Sequence, residues 1–191
     1  MKICGITSPG DAHIAAEAGA DAIGVVLFSR SPRSVSPEEA KDIFAAAGPG
    51  VARVCVSHTI AENELEEMIR ILEPDAVQIF CPTLYPQDYG VNVIRAVGPG
   101  DPVPDDADAL IVDASHGSGK LFDEDFARML VQSSRVPVLL AGGLTPENVA
   151  GAASRIRPYG VDVATGVEDA PGKKNPVKVR KFIGAAKGVK I

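Results

Sequence analysis

Eight short apolar segments recur along this chain, and each is separated from the next by a helical pattern or by a turn-rich stretch. Segment 21–28 is apolar almost throughout, which is typical of a parallel strand covered on both faces. Consecutive parallel strands need a crossover connection, usually a helix. The predicted strands are residues 1–4, 21–28, 51–56, 76–80, 91–97, 109–113, 136–141 and 161–164.

The helical signals lie between these segments. Ser36 is followed by a proline and two acids, the usual start of a helix. Ser8 or Asp11 can begin the first helix, which runs to about Ala18 and ends at Gly19. Thr145-Pro146-Glu147 is predicted to open the helix after the seventh segment. Apolar helix faces are predicted from three sets of residues: Leu65, Met68, Ile69 and Leu72; Phe126, Met129 and Leu130; Val179, Phe182, Ile183 and Ala186.

Two connections show no helical stripe. Residues 82–90 carry two prolines and two tyrosines, and residues 98–106 carry three prolines, which exclude a regular helix. Eight strands alternating with helices or short substitutes predict an α/β fold, a compact (β/α)8 TIM barrel forming a single domain over residues 1–191. The helices after strands 4 and 5 are expected to be shortened or replaced by loops. An open doubly wound sheet is the alternative, but it usually has about six strands.

Composition narrows the class of protein. The chain is 46% hydrophobic and 23% charged, as expected of a globular domain, and no apolar run approaches 18 residues, so no membrane partner is expected. A formal charge of −6 argues against non-specific nucleic-acid binding. Three cysteines without a C-x-x-C pattern argue against a disulfide framework or structural zinc, and with no signal-peptide pattern they favour the reducing cytoplasm.

Barrel enzymes carry their active sites where strands end and the following loops begin. Cys4 ends the first predicted strand, and Asp113 ends the sixth after four apolar residues. Glycine turns end the last two strands, and glycine lets backbone N–H groups approach an anion closely. We therefore expect a phosphate site between a thiol and a carboxyl group, an arrangement suited to moving protons on a sugar phosphate.

The thiol of Cys4 needs activation to act as a base, because an ordinary thiol has a pKa of about 8.5. Lys2 lies on the same face of the first strand, and Asp162 belongs to the strand that must pair with it to close the barrel. We predict a buried Lys2–Asp162 contact beneath Cys4. A carboxyl group such as Asp113 can be held protonated by desolvation and act as a general acid.

The remaining cysteines and histidines are expected to have structural or solvent-exposed positions rather than catalytic or metal-binding roles. Cys4, His58, Cys81 and His116 could surround a metal, but they are scattered over four loops, so no metal is expected. His58 and His116 are interpreted as solvated loop residues. His13 is expected on a helix surface, and Cys55 in the core.

Motifs along the whole chain resemble the phosphoribosylanthranilate isomerase family of tryptophan biosynthesis. The strongest are the Lys-Ile-Cys-Gly-Ile-Thr start and the Ala-Gly-Gly-Leu-Thr-Pro-Glu-Asn-Val stretch after the seventh strand. The matching segments are residues 2–7, 19–24, 31–36, 117–123, 141–149, 161–168 and 171–174.

This resemblance implies a cofactor-free and metal-free (β/α)8 barrel that converts N-(5-phosphoribosyl)anthranilate to 1-(2-carboxyphenylamino)-1-deoxyribulose 5-phosphate by an Amadori rearrangement. It implies Asp113 as general acid and Cys4 as general base, and Arg33 as the residue facing the anthranilate carboxylate. The further implied contacts are Gln78 and Asp162 with substrate, and Gly142, Gly143, Thr165 and Gly166 with phosphate. A monomer or homodimer is expected.

The sequence departs from the family pattern at two strand ends. The usual Val-Gln-Leu-His-Gly reads Val-Gln-Ile-Phe-Cys at residues 77–81, and the usual Val-Phe-Val reads Val-Ser-His at residues 56–58. Both changes fall at the predicted mouth of the barrel. They keep open a different phosphosugar isomerase or epimerase, or a non-catalytic phosphate-binding paralogue, on the same fold.

Overall fold

A computed structural model describes residues 1–58, 61–80, 90–113 and 121–189. Eight parallel strands pair in chain order and close into a barrel, which confirms the (β/α)8 prediction and excludes an open doubly wound sheet. Closure comes from the first and last strands, where Lys2 pairs with Asp162. The strands are β1 (Lys2–Cys4), β2 (Ala22–Leu27), β3 (Ala52–Ser57), β4 (Ala76–Phe80), β5 (Asn92–Val97), β6 (Ala109–Val112), β7 (Val138–Leu140) and β8 (Gly160–Val163).

Six helices are found in the described ranges, and the signals at their starts explain their positions. Ser36 and Glu39 form a complete capping box, and Ser8 rather than Asp11 caps the first helix. None of the described helices is long and apolar enough to cross a membrane. The helices are α1 (Pro9–Ala18), α2 (Pro37–Ala47), α3 (Glu62–Leu72), α4 (Glu124–Ser133), α5 (Val149–Ile156) and α6 (Pro176–Lys187).

The connection between β5 and β6 contains no helix, as its prolines predict. The loop predicted after β4 covers residues 82–90, and all of it except Gly90 lies outside the described residues. The faces predicted for α3 and α6 are buried, because every one of their eight apolar residues packs against the barrel.

Alternating strand residues face two different cores. In β3, Val54 and Val56 point into the barrel, whereas Cys55 points outward to the helices and is completely buried, as predicted. The inner core is small and includes Cys4 near its upper end. The interior of the barrel is therefore filled by side chains, and any ligand must bind above it.

Two helix predictions are wrong in detail. Met129 on α4 is 48% exposed, while Ala127 and Leu130 are the buried residues of that helix. The helix after β7 begins at Val149 rather than at Thr145. The side chain of Asn148 accepts a hydrogen bond from the Thr145 N–H and donates one to the Gly143 carbonyl, so the chain closes a turn before it becomes helical.

A short antiparallel hairpin follows β8 and was not predicted from the sequence. Its strands are β9 (Glu168–Ala170) and β10 (Lys173–Lys174), and Gly172 in the turn has φ of 80°. A 3-10 turn, Thr165–Val167, joins β8 to this hairpin. The hairpin lies beside the mouth of the barrel and contributes two buried charged residues to it.

Candidate active site

Two adjoining cavities occupy the mouth of the barrel, where the strands end. The larger contains the thiol of Cys4 and the carboxyl of Asp113 in its lining. The predicted substrate-binding residues Arg33, Gln78 and Asp162 line the same cavity. Its remaining walls are mostly small or apolar: Gly5, Val26, Ser31, Val56, His58, Phe80 and Ala164.

The second cavity is lined by the turns that follow β7 and β8. It includes all four residues predicted to hold phosphate: Gly142, Gly143, Thr165 and Gly166. Asp113 and Asp162 line both cavities, so the two form one divided site.

The glycines of these turns are required by geometry. Gly142 and Gly143 have φ of 88° and 62°, which side chains rarely adopt. At Gly166 a Cβ atom would lie 1.9 Å from the carbonyl oxygen of Leu144, so the two turns touch through their backbones. Close backbone approach of this kind leaves N–H groups, rather than side chains, to bind an anion.

Beneath this site, Lys2 bridges the barrel interior. Its Nζ donates to Asp162 Oδ1 at 2.9 Å and to Gln78 Oε1 at 2.8 Å, which confirms the predicted Lys2–Asp162 contact. All three side chains are buried. Gln78 and Asp162 therefore reach the cavity while being held from below by one ammonium group.

A glycine on β2 makes room for this arrangement. A Cβ atom at Gly24 would lie 2.9 Å from Cys4 Sγ and 3.1 Å from Lys2 Nζ. The absence of a side chain at this position therefore lets the ammonium and the thiol occupy one layer of the barrel.

Burial raises the pKa of the Cys4 thiol above its ordinary value. Lys2 and Lys174 act in the opposite direction, and Asp162 adds to the rise. In the free protein the effect of burial on the Cys4 pKa therefore outweighs the charges of the two lysines. Burial alone would lower the pKa of Lys2, but Asp162 and Cys4 outweigh it, so the ammonium stays protonated. Burial also raises the pKa of Asp162, and Lys2 opposes that rise.

Arg33 reaches the cavity from the loop after β2 and packs over Gly5, where a Cβ would lie 2.5 Å from its Cδ. Its guanidinium binds Glu168, which also binds Lys174. Sequence reasoning assigned no role to Glu168 or Lys174, although both lie in matched motifs. The Pro-Gly turn between them was the signal for a hairpin.

The two departures from the family pattern meet at the mouth. The rings of His58 and Phe80 stack with centroids 4.5 Å apart and an interplanar angle of 14°. His58 is exposed, as predicted, but it belongs to the cavity wall rather than to a free loop. His13 lies on a helix surface and is 63% exposed.

A metal centre has no support among the described residues, where no group of three His, Cys, Asp or Glu side chains could hold an ion. Cys81 and His116, which the metal alternative also needs, lie outside those residues.

A (β/α)8 barrel with a glycine-lined cavity beside a thiol and a carboxyl is the arrangement expected of an enzyme that acts on small phosphorylated substrates. The sequence profile described as N-(5'phosphoribosyl)anthranilate (PRA) isomerase matches residues 1–185. The N-(5'-phosphoribosyl)anthranilate isomerase of Methanoregula boonei is 54% identical over 188 residues, covering 98% of this chain and 96% of that protein.

Solved structures agree. A phosphoribosyl anthranilate isomerase in complex with reduced 1-(o-carboxyphenylamino)-1-deoxyribulose 5-phosphate has a TM-score of 0.81 and 33% identity, with 98% of each chain covered. Monomers generated from the dimeric Thermotoga maritima enzyme match with a TM-score of 0.81, 32% identity and 98% of each chain covered.

This chain belongs to the phosphoribosylanthranilate isomerase family. It is an enzyme of tryptophan biosynthesis that converts N-(5-phosphoribosyl)anthranilate to 1-(2-carboxyphenylamino)-1-deoxyribulose 5-phosphate. The alternatives of another phosphosugar isomerase and of a non-catalytic paralogue are therefore set aside.

Proposed function

We propose that Cys4 is the general base and Asp113 the general acid of this isomerisation. The observation that carries the proposal is that both side chains line one cavity, although they come from β1 and from the end of β6. The anion cavity adjoins it and shares Asp113. A substrate anchored by its phosphate can therefore reach both groups at once.

The proton transfers balance within the substrate. Asp113 gives a proton to the furanose ring oxygen, the bond from C1′ to that oxygen breaks, and a protonated Schiff base forms. Cys4, as thiolate, then removes the C2′ proton to give an enolamine. The Cys4 thiol then returns its proton to C1′ and the enol hydroxyl gives its proton to the Asp113 carboxylate, which yields the ketone with no net change in composition and restores both groups. Each proton transfer by a positioned side chain contributes about 10²–10⁴ in rate.

The phosphate is proposed to bind the turns after β7 and β8 through Gly142, Gly143, Thr165 and Gly166. The positive φ angles of Gly142 and Gly143, and the close approach of Gly166 to the Leu144 carbonyl, support this role. The anthranilate ring then extends to the opposite side of the larger cavity, where Phe80 and His58 offer a flat apolar wall. Arg33 would face the carboxylate of the ring, with Gln78 and Asp162 below it.

Cys4 is proposed to start as a neutral thiol, since its pKa is raised in the free protein. The base is its thiolate, so the fraction able to react grows as pH rises. Lys2 and Lys174 favour the thiolate, because their charges offset part of the cost of burying it. This charge balance makes Lys2 a positioning residue for the base.

Alkylation of Cys4 by iodoacetamide tests this role. We expect the rate of Cys4 modification, read by peptide mapping, to keep rising with pH beyond about 8.5, the ordinary pKa of a thiol. Reduced carboxyphenylamino-deoxyribulose phosphate should protect Cys4, and modification should abolish turnover. Full turnover after complete modification of Cys4 would contradict its role as the base. A modification rate that levels off below about pH 8.5 would contradict the neutral starting thiol.

The proposed enzyme acts as one domain, without cofactor or metal, in the cytoplasm, where a reactive thiol stays reduced. The buried free thiols of Cys4 and Cys55 support that compartment. A monomer or homodimer is proposed, since a relative from Thermotoga maritima is dimeric. Sedimentation of the purified protein distinguishes the two states.

A further inference from the structure

The guanidinium group of Arg33 is held in a fixed plane by a buried carboxylate. Its Nε donates to Glu168 Oε1 at 2.9 Å, and its Nη2 donates to Glu168 Oε2 at 2.7 Å. Nη2 also donates to Thr165 Oγ1 at 3.2 Å. Two parallel hydrogen bonds of this kind fix orientation as well as position.

Glu168 cannot easily release Arg33, because it is itself locked. Its side chain is only 3% exposed, and Oε1 also accepts from Lys174 Nζ at 2.8 Å and from the Gly172 N–H at 3.2 Å. Burial alone would raise the pKa of Glu168, but Arg33 and Lys174 outweigh it and hold the pKa below its ordinary value. The carboxylate therefore stays charged at neutral pH.

The hairpin that carries Glu168 is hydrogen-bonded to neighbouring segments at the mouth of the barrel. The Lys174 N–H donates to Asp11 Oδ2 at 3.1 Å, and the Thr7 hydroxyl donates to the Gly172 carbonyl. Lys174 Nζ also contacts the Ala164 carbonyl at 3.3 Å. These contacts connect the loops after β1, β2 and β8 through one buried cluster.

The cluster leaves one edge of Arg33 for a ligand. Nε and Nη2 bind Glu168 and Thr165, whereas Nη1 makes no hydrogen bond to any of the residues that the structure describes. Arg33 and Lys174 share the single buried carboxylate of Glu168. Burial lowers the pKa of Lys174, whereas the hydrogen bond with Glu168 raises the pKa of Arg33, so the guanidinium stays charged and its Nη1 edge favours an anionic ligand.

We propose that Glu168 is a positioning residue that aims Arg33 at the carboxylate of the substrate's aromatic ring and thereby makes the enzyme select a carboxylated ring. This inference rests on the proposed contact between Arg33 and that carboxylate. Glu168 touches neither substrate nor reacting atoms, and its effect passes through Arg33. The hairpin of β9 and β10 is then part of the specificity site.

A competing role for Glu168 predicts an affinity change in the opposite direction. If Glu168 competed with the substrate carboxylate for Arg33, removing its charge would tighten binding. If Glu168 positions Arg33, removing its charge loosens the guanidinium and weakens binding. The two roles are separated by the direction of one affinity change.

The test uses two ligands, reduced carboxyphenylamino-deoxyribulose phosphate and the same molecule without the carboxylate. Calorimetry on wild-type protein should show that the carboxylated ligand binds more tightly. Glu168→Gln should weaken the binding of the carboxylated ligand by about tenfold. It should change the affinity for the other ligand by less than about twofold, because only the carboxylated ligand uses Arg33. Asp169→Asn, an exposed change on the same hairpin, is the matched control and should alter neither affinity.

Glu168→Asp is a second variant that controls for misfolding. It keeps the negative charge in the cluster, but its shorter side chain reaches Arg33 less well. It should also reduce selectivity for the carboxylate. In an Arg33→Lys background, Glu168→Gln should have no further effect on selectivity, because the two residues act as a unit.

Equal weakening of both ligands, tighter binding of the carboxylated ligand, or unchanged selectivity in both Glu168 variants would overturn the positioning role alone. Wild-type protein that does not distinguish the two ligands would instead overturn the Arg33 contact, and this inference with it.

Discussion

Asp113→Asn is expected to lower kcat by about a hundredfold to ten-thousandfold while KM changes little. The amide keeps the shape of the side chain but cannot give a proton to the ring oxygen at any ordinary pH. Ring opening then depends on water, and the Schiff base that Cys4 needs does not form at a useful rate. Binding is expected to persist, because the phosphate turns and Arg33 are unchanged.

The measurement is steady-state turnover combined with the affinity for reduced carboxyphenylamino-deoxyribulose phosphate. Asp125→Asn, an exposed change in the first turn of α4, is the control and should leave both quantities unchanged. A fall in kcat below about tenfold for Asp113→Asn would show that another group supplies the proton.

Lys2→Met is expected to lower the free energy of unfolding by about 3–5 kcal/mol, because it leaves Asp162 charged and buried without its partner. Methionine fills a similar volume, so the loss comes mainly from charge rather than from a cavity. Without Lys2, burial raises the pKa of Asp162 further. The loss is therefore largest above that pKa and shrinks as pH falls and the carboxyl takes up a proton.

Urea unfolding at a series of pH values gives the free energy of unfolding of the wild-type and variant proteins and shows how their difference depends on pH. Arg53→Met removes a half-exposed ion pair with Asp75 and should cost no more than about 1 kcal/mol. Lys2→Met combined with Asp162→Asn should recover much of the stability, since no charge stays unpaired, but not the activity, because Cys4 has lost its cation. A Lys2→Met protein as stable as wild type at neutral pH would contradict the conclusion that Lys2 pairs with a buried, charged Asp162.

The position of Cys4, Asp113 and the glycine turns could be predicted because strand ends meet at one edge of a barrel. The Lys2–Asp162 contact could be predicted for the same reason. Both residues face inward on strands that must be neighbours, and the observed register pairs Lys2 with Asp162 so that their charges form a hydrogen bond.

The pair of Arg33 and Glu168 could not be predicted in this way. Both residues lie outside the barrel strands, and their contact depends on how two loops fold over Gly5 and Gly172. The start of α5 was missed for a related reason, since Asn148 stabilises a turn where Pro146 favoured a helix. The His58–Phe80 stack joins two changes that look unrelated along the chain and become one wall only in the barrel.

The most direct measurement of the proposed chemistry follows the anthraniloyl fluorescence of phosphoribosylanthranilate generated in situ, with wild-type protein and Cys4→Ser at equal concentration. Wild-type protein should accelerate the decay and give the ribulose phosphate product. Cys4→Ser should be slower by at least about a hundredfold while still binding the reduced product, since a hydroxyl at neutral pH is a far weaker base than a thiolate. Decay with Cys4→Ser as fast as with wild-type protein would contradict the role of Cys4 as the base.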